Sequence, residues 1–256
     1  MGSVRSFVFG AALLTAFGVF SRPAGAQSTR SGAIPRTPDG KPDLSGVWAG
    51  AGFRHIEGAK YPDIPDISRY VLTPPKDALL PGAEEMWNLK LNGDPRHDDP
   101  TLLCLPLGFP YIDLPGRAQQ FFQPPGYLVI VYEDDHFTRI IPIGTSHPKD
   151  IDPTWYGNAI GHWEGDTMVV DTIGLKAWIS DARHHMHTEA AHYVERYRRT
   201  GSTTMSLEIT TDDPKIFSRP WSQSWEMHLR RDWTILEDIC EENNKDPGLL
   251  EYLKKQ

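Results

Sequence analysis

Short apolar runs alternate with polar turn signals along the second half of the chain, the pattern of an antiparallel sheet rather than a helical bundle. Tyr127-Leu128-Val129-Ile130-Val131-Tyr132 reads as a strand apolar on both faces. Glu133 to His136 turns it, and Phe137 to Ile143 returns. Gly161-His162-Trp163 leads through the turn Glu164-Gly165-Asp166 into Thr167 to Thr172. Ala191 to Arg199 pairs across Thr200-Gly201-Ser202 with Thr203 to Thr211, and Ser218 to Leu229 pairs across Arg230-Arg231-Asp232 with Trp233 to Cys240. Together these make about eight antiparallel strands with sequential connections. The expected fold is all-β: an up-and-down barrel, with a two-sheet β-sandwich as the alternative.

The region before this pattern punctuates itself differently. Pro35-Arg36-Thr37-Pro38-Asp39-Gly40-Lys41-Pro42, Pro62-Asp63-Ile64-Pro65-Asp66 and Pro74-Pro75 break helices and central strands alike. Leu44-Ser45-Gly46-Val47-Trp48 can start a strand, and Asp77 to Leu91 carries apolar residues at roughly helical spacing. The expected organisation is an irregular arm over residues 27–110, a barrel over 111–246 and a tail over 247–256 compatible with a short helix. Residues 27–41 suit a disordered linker better than the rest of the arm, which holds Trp48, Tyr61, Tyr70 and Trp87.

Residues 1–26 read as a secretory signal. Arg5 precedes an uncharged apolar run from Phe7 to Phe20, and Ala24-Gly25-Ala26 suits signal peptidase. The run is shorter than the ~20 residues of a transmembrane anchor, which is the competing reading. Cleavage after Ala26 places the mature chain in the periplasm or outside the cell, with no second apolar stretch near the length of a membrane span. Export changes the cysteines. Cys104 and Cys240 are the chain's two cysteines, and in an oxidising compartment they are expected to form a disulfide rather than a nucleophile or a metal site.

Composition narrows the partners. A formal net charge of −8, with no Lys/Arg run longer than two, argues against nucleic acid, since phosphate contacts need a basic face. The 22 Pro, 22 Gly, 8 Trp, 9 Tyr and 10 Phe suggest many turns and an aromatic-rich core or pocket. P-loop, G-x-G-x-x-G and G-x-S-x-G patterns do not occur, so no organic cofactor is expected.

Sequential hairpins after Gly46-Val47-Trp48 resemble the lipocalin/calycin type of barrel, which can hold one small ligand. A wider pattern runs through Cys104-x-Pro106-x-Gly108-x-Pro110, Tyr132-Glu133-x-x-His136-x-x-Arg139, His147-Pro148, Trp155-x-Gly157 and Gly161-x-Trp163-Glu164-Gly165-Asp166-Thr167. It continues through Val169-Val170-Asp171-Thr172, His187 to Glu195-Arg196, Asp212-Asp213-Pro214 and Cys240-x-Glu242-Asn243. From about Pro35 to Asp246 the chain is similar to a family of exported bacterial proteins of uncharacterised activity. The resemblance therefore implies no reaction, and Tyr111 stands where the usual members carry Arg.

The candidate chemistry is acid–base. The hairpin at Gly201 allows two registers against inward Met205, Leu207 and Ile209: one faces them with Arg198, Arg196 and Val194, the other with Arg199, Tyr197, Glu195 and Tyr193. Either brings a charge to an apolar face, Arg196 or Glu195, which then needs a partner or a wet pocket. His185, His187 and Glu189 share one face if extended and could ligate Zn²⁺, but they match no recognised spacing, and a solvated loop is the preferred reading, so no metal is expected. His147 and His187 are the acid/base candidates, with Glu195 as the orienting or basic carboxylate. His136, Arg139, Trp155, His192 and Arg196 are candidate substrate-binding residues, with Arg139 or Arg196 stabilising negative charge. The expectation is a cofactor-independent lyase, isomerase or hydrolase acting on a small apolar or aromatic molecule. The alternatives are a non-catalytic small-ligand binding protein of the same fold and a structural module of the envelope.

Overall fold

The computed structural model describes residues 32–50, 71–90, 100–116, 118–134, 137–240 and 254. The signal segment, His136 and all of the tail except residue 254 lie outside the described residues.

Among the described residues eleven strands follow in chain order: β1 (Gly46–Gly50), β2 (Gln119–Phe122), β3 (Tyr127–Tyr132), β4 (Thr138–Pro142), β5 (Asn158–Glu164), β6 (Thr167–Ile173), β7 (Trp178–Ile179), β8 (Met186–His187), β9 (His192–Arg199), β10 (Thr204–Asp212) and β11 (Trp221–Leu229). Nine form one antiparallel sheet in the order β4-β3-β2-β1-β11-β10-β9-β6-β5, and β7 pairs with β8 as a separate ribbon. Cut at β1, this order is a sequential meander that returns to its start, so the sheet curls into a nearly closed, lipocalin-like barrel.

An odd number of alternating strands cannot close antiparallel everywhere. With nine in the ring, β4 and β5 run the same way, and there the ladder gives out: the bridge is Ile143 to Gly161, parallel, supported by Gly144 N–H donating to the Gly161 carbonyl at 2.8 Å. Parallel neighbours need a connection that returns along the sheet, which accounts for the long loop 143–157.

β1 falls inside the stretch read as an irregular arm. It takes the free edge of β11, through Trp48 opposite Leu229 and Gly50 opposite Met227, and pairs on its other side with β2. That edge had been expected to receive Trp233 to Cys240. Residues 233–240 instead run without strand structure, fastened by the disulfide Cys104–Cys240, whose Cα atoms are 5.5 Å apart. The helix expected over Asp77 to Leu91 shrinks to one turn, α1 (Glu84–Trp87). Pro81 and Gly82 precede it, and Gly82 adopts φ +80°, which no helix residue does.

The register places the inward side chains in rows across β5, β6, β9, β10 and β11. Ala159, Thr172, Tyr193, Thr211 and Trp221 form one row; Gly161, Val170, Glu195, Ile209 and Gln223 form the next; Trp163, Met168, Tyr197, Leu207 and Trp225 form a third. Tyr193, Tyr197, Leu207, Met168 and Val170 are fully buried there, alongside Trp48, Phe121, Leu128, Ile130 and Ile141 from the other strands. The segment after the disulfide also enters the core. Gly108 has φ +72°, and a Cβ on it would lie 2.6 Å from Trp178 Cδ1, so glycine there allows the β7 tryptophan to approach and Phe109 to be buried behind it.

Candidate functional site

The first polar assembly lies in the second and third rows. Of the two registers open to the Gly201 hairpin, the structure uses the one pairing Ile209 with Glu195 and Leu207 with Tyr197, so Glu195 points inward and Arg196 outward. Arg139 of β4 meets Glu195 across the barrel through Nη1–Oε1 at 2.8 Å and Nη2–Oε2 at 2.7 Å. Thr172 joins them, accepting from Arg139 Nη2 at 3.0 Å and donating to Glu195 Oε2 at 3.2 Å. Burial works against the Arg139 charge, but Glu195, Tyr132 and Asp113 outweigh it and hold the guanidinium protonated. Arg139 also lies 4.4 Å from the centre of the Phe109 ring.

Asp113, in a 3₁₀ turn at Tyr111–Asp113, is the second buried carboxyl of this assembly. Tyr132 donates to its Oδ1 at 2.7 Å, and Tyr197 Oη lies 2.7 Å from its Oδ2 and also 2.7 Å from Glu195 Oε1. A phenol has one proton and can donate to only one of two carboxylate oxygens. The second contact is a hydrogen bond only if a carboxyl carries a proton. Burial first, and the Glu195 charge second, push Asp113 up to about 7 against the pull of Arg139 and the two tyrosines. A proton on Asp113 then satisfies the chain, with Asp113 donating to Tyr197 and Tyr197 to Glu195, and leaves Arg139 balanced by one carboxylate. Burial drives Tyr132 and Tyr197 upward, so both remain phenols.

Arg139 Nε is buried without a partner in this network, and the first row gathers several such atoms side by side. Tyr193, Thr211 and Trp221 sit side by side on β9, β10 and β11, and Tyr193 Oη, Thr211 Oγ1 and Trp221 Nε1 are all buried without a hydrogen-bond partner. His187 packs edge-on to Tyr193 with ring centres 5.8 Å apart; its Nδ1 lies 3.2 Å from the Thr188 carbonyl, and its Nε2 is buried without a partner. The Ser180 hydroxyl is close enough to Tyr193 to oppose the rise of its pKa, yet neither group closes a hydrogen bond. Desolvation lowers His187 to about 4 despite the opposing pull of Thr188 and Asp213. The imidazole is therefore neutral near pH 7, with the Thr188 and Phe109 backbones both acting on the ring; in the tautomer whose Nδ1–H donates to Thr188, Nε2 presents a lone pair. Phe109 stacks edge-on against Tyr193 at 5.3 Å, and Phe217 against Trp221 at 5.5 Å.

A third assembly faces outward. His147 from the 143–157 loop places Nε2 2.8 Å from Asp171 Oδ1 and Nδ1 2.6 Å from Asn158 Oδ1, and His192 places Nε2 2.9 Å from Asp171 Oδ2. Partial burial opposes the Asp171 charge, but the bonds to His147 and His192 win and lower its pKa. The group pins the loop that spans the barrel seam onto β5, β6 and β9.

The structure thus brings Arg139 together with Glu195, and His147 together with His192. It does not bring His147 to His187: Asp171, which holds His147, faces outward, whereas Tyr193, which contacts His187, faces inward. The sequence reads His187 as part of a solvated loop; it lies instead in β8 opposite Trp178 and is buried. Arg196 pairs with Glu164 on the outer face. Trp155 packs at 60° against Trp178, with ring centres 4.3 Å apart, and Lys176 Nζ lies 4.4 Å from its ring centre. His185 and His187 diverge, His185 bonding Asp181 at 2.7 Å and stacking on Trp87 at 4.4 Å, while Glu189 is exposed. Among the described residues no group of three or more His, Cys, Asp or Glu is arranged to hold a metal ion.

Sequence reasoning did not single out Asp113, Tyr132, Asp171, Thr211 or Trp221 as site residues. Alternation along β10 and β11 was the available signal for Thr211 and Trp221: an inward hydroxyl and an inward indole at one level of the sheet. Asp113 had none, since its burial depends on a loop folding into the barrel. No protein-family model, curated protein or solved structure matches the chain.

Proposed function

We propose that the protein is a small-molecule-binding barrel whose ligand rests against the inner row Tyr193, Thr211 and Trp221, beside His187. The row of unpartnered buried polar atoms on three adjacent strands carries this reading. An unmet buried donor or acceptor costs ~1–3 kcal/mol, so several together call for a bound molecule that completes them. The Arg139–Glu195–Asp113 network, in which Arg139 Nε is also left without a partner, fixes the barrel wall beside the row. Binding is favoured over catalysis at His187 because an imidazole held at about 4 is a poor base near neutral pH. The disulfide between Cys104 and Cys240 supports an oxidising compartment, in keeping with the signal read over residues 1–26.

One observation favours acid–base catalysis as a second reading: Asp113 is pushed up to about 7, where a general acid works best. Native mass spectrometry of the protein purified from its own host tests both. A stoichiometric retained small molecule, lost in Tyr193→Phe/Thr211→Val, is the expected result, and an empty protein would sink the binding reading. Conversion of that molecule by the wild type, abolished in Asp113→Asn while the molecule is still retained, would establish the enzyme.

A further inference from the structure

Resting on the reading of the inner row as a ligand site, we infer that its ligand is an uncharged aromatic or similarly flat molecule bearing both a hydrogen-bond donor and an acceptor, of the phenol type rather than a carboxylate or an ammonium. Four observations define that class.

The first is the inventory of unmet groups. Trp221 Nε1–H is donor only, so the ligand must offer an acceptor. His187 Nε2 is buried without a partner as well and accepts a ligand donor in the tautomer whose Nδ1–H is engaged by Thr188. Tyr193, Thr211 and Ser180 carry hydroxyls that turn to suit either role. A pure hydrocarbon would leave all of them unmet.

The second is the absence of a spare counter-charge among the described residues of the row. The two fully buried carboxylates bordering it are already engaged. Asp181 accepts from Leu72 N–H at 2.8 Å, Arg183 N–H at 2.8 Å and His185 Nδ1 at 2.7 Å. Asp213 accepts from Thr188 N–H at 2.7 Å, Thr188 Oγ1 at 2.9 Å and Lys215 N–H at 3.2 Å. Arg139, the buried cation on the barrel wall, is bound bidentately to Glu195. A charged ligand would enter without a partner, the costliest form of burial.

The third is the response of the site's own titratable groups. His187 is lowered by desolvation even though Asp213 and Glu189 pull it the other way, so a positive charge is disfavoured at that point. Tyr193 is raised by desolvation, with Asp213 and Asp181 adding to the rise, so a negative charge is disfavoured too. One imidazole and one phenol, in edge-on contact, report that the surroundings accept neither sign.

The fourth is the wall. Phe109, Tyr193, His187, Trp221 and Phe217 meet in edge-on pairs 5.3–5.8 Å apart, contacts typical of packed aromatic rings, and this suits a flat ring as the next member.

The test uses four probes of similar size and different chemistry on the intact, oxidised protein: phenol, toluene, benzoate and benzylammonium, by calorimetric titration and ligand-induced thermal shift. Phenol is expected to bind tightest and toluene more weakly, with benzoate and benzylammonium inactive. Tyr193→Phe and Thr211→Val each remove one oxygen and keep the shape; both should weaken phenol by about threefold to tenfold, one hydrogen bond's worth, without weakening toluene. If benzoate or benzylammonium binds as tightly as phenol and responds to these substitutions, the row is a ligand site but the inferred class is wrong. If no probe binds and the protein from its own host carries no small molecule, the row is filled by water alone, and both the class and the underlying reading fall.

Discussion

Arg139 on β4 and Glu195 on β9 are joined by two parallel hydrogen bonds inside the barrel, although β5 and β6 lie between their strands around the seam. The pair ties β4 to β9 across the barrel seam, and its net contribution depends on both members being present. Removing one member of a buried pair leaves the other uncompensated, at ~3–5 kcal/mol. Glu195→Gln should therefore lose about that much in urea denaturation at pH 7. A loss under 1 kcal/mol would mean that water reaches Arg139 and the network is not dry.

Asp113→Asn should behave differently, because the amide mimics a protonated carboxyl: its oxygen accepts from Tyr132 and its N–H donates to Tyr197. Asp113 has its folded pKa raised to about 7, so its contribution is fully present below the unfolded value and fades as pH rises toward 7. His187, lowered to about 4, has the opposite slope: its contribution is present above the unfolded value near 6.5 and fades as pH falls toward 4. Between about pH 4 and 6.5 the two oppose each other, each approaching roughly 1.4 kcal/mol per pH unit. Urea melts across this window should show Asp113→Asn losing stability on acidification faster than the wild type, and His187→Asn losing it more slowly. Parallel curves for all three proteins would refute the assigned protonation states.

Tyr193→Phe and Thr211→Val delete buried hydroxyls that have no partner. In ligand-free protein each should leave stability unchanged or raise it by about 1 kcal/mol, the reverse of an ordinary core substitution. Leu207→Ala, a fully buried truncation two residues from Ile209, should cost ~2–5 kcal/mol in the same assay. Thermal melts that show Tyr193→Phe as destabilising as Leu207→Ala would mean the phenol is bonded after all.

The disulfide closes a loop across a sequence separation of 136 residues. In the chain-entropy model the Cys104→Ser/Cys240→Ser variant should lose roughly 3–5 kcal/mol, measured against oxidised wild type. Residues 233–240 have no strand pairing of their own, so protease sites there should open first in the variant.

Asp171→Asn tests the outer pin. The Asp171 pKa is lowered, so its contribution is present near neutral pH and is lost as pH falls through the folded value. The substitution should speed proteolytic cleavage within residues 143–157 at pH 7 while leaving the barrel core intact. Equal cleavage rates would show that the bonds of His147 do not hold the loop.

Alternation and turn chemistry already specify most of this barrel: the hairpins β3–β4, β5–β6 and β9–β10 rest on local periodicity, and the inward set Met205, Leu207 and Ile209 follows from it. Local pattern also required one charge of the pair Glu195/Arg196 to face inward, since both registers of the Gly201 hairpin did so. Only the tertiary structure chose Glu195, because a charge becomes tolerable in an apolar row when Arg139 arrives from β4, beyond the seam. It likewise decided which segment covers β11. Trp233 to Cys240 has the composition of a strand, but edge pairing is a competition between segments, and β1, far upstream of β11 in the sequence, wins that edge. The same holds for Asp113 and for the unpartnered row: no periodicity marks a carboxyl hydrogen-bonded to two distant tyrosines, or three polar atoms left unmet together, because each depends on what the rest of the chain places beside it.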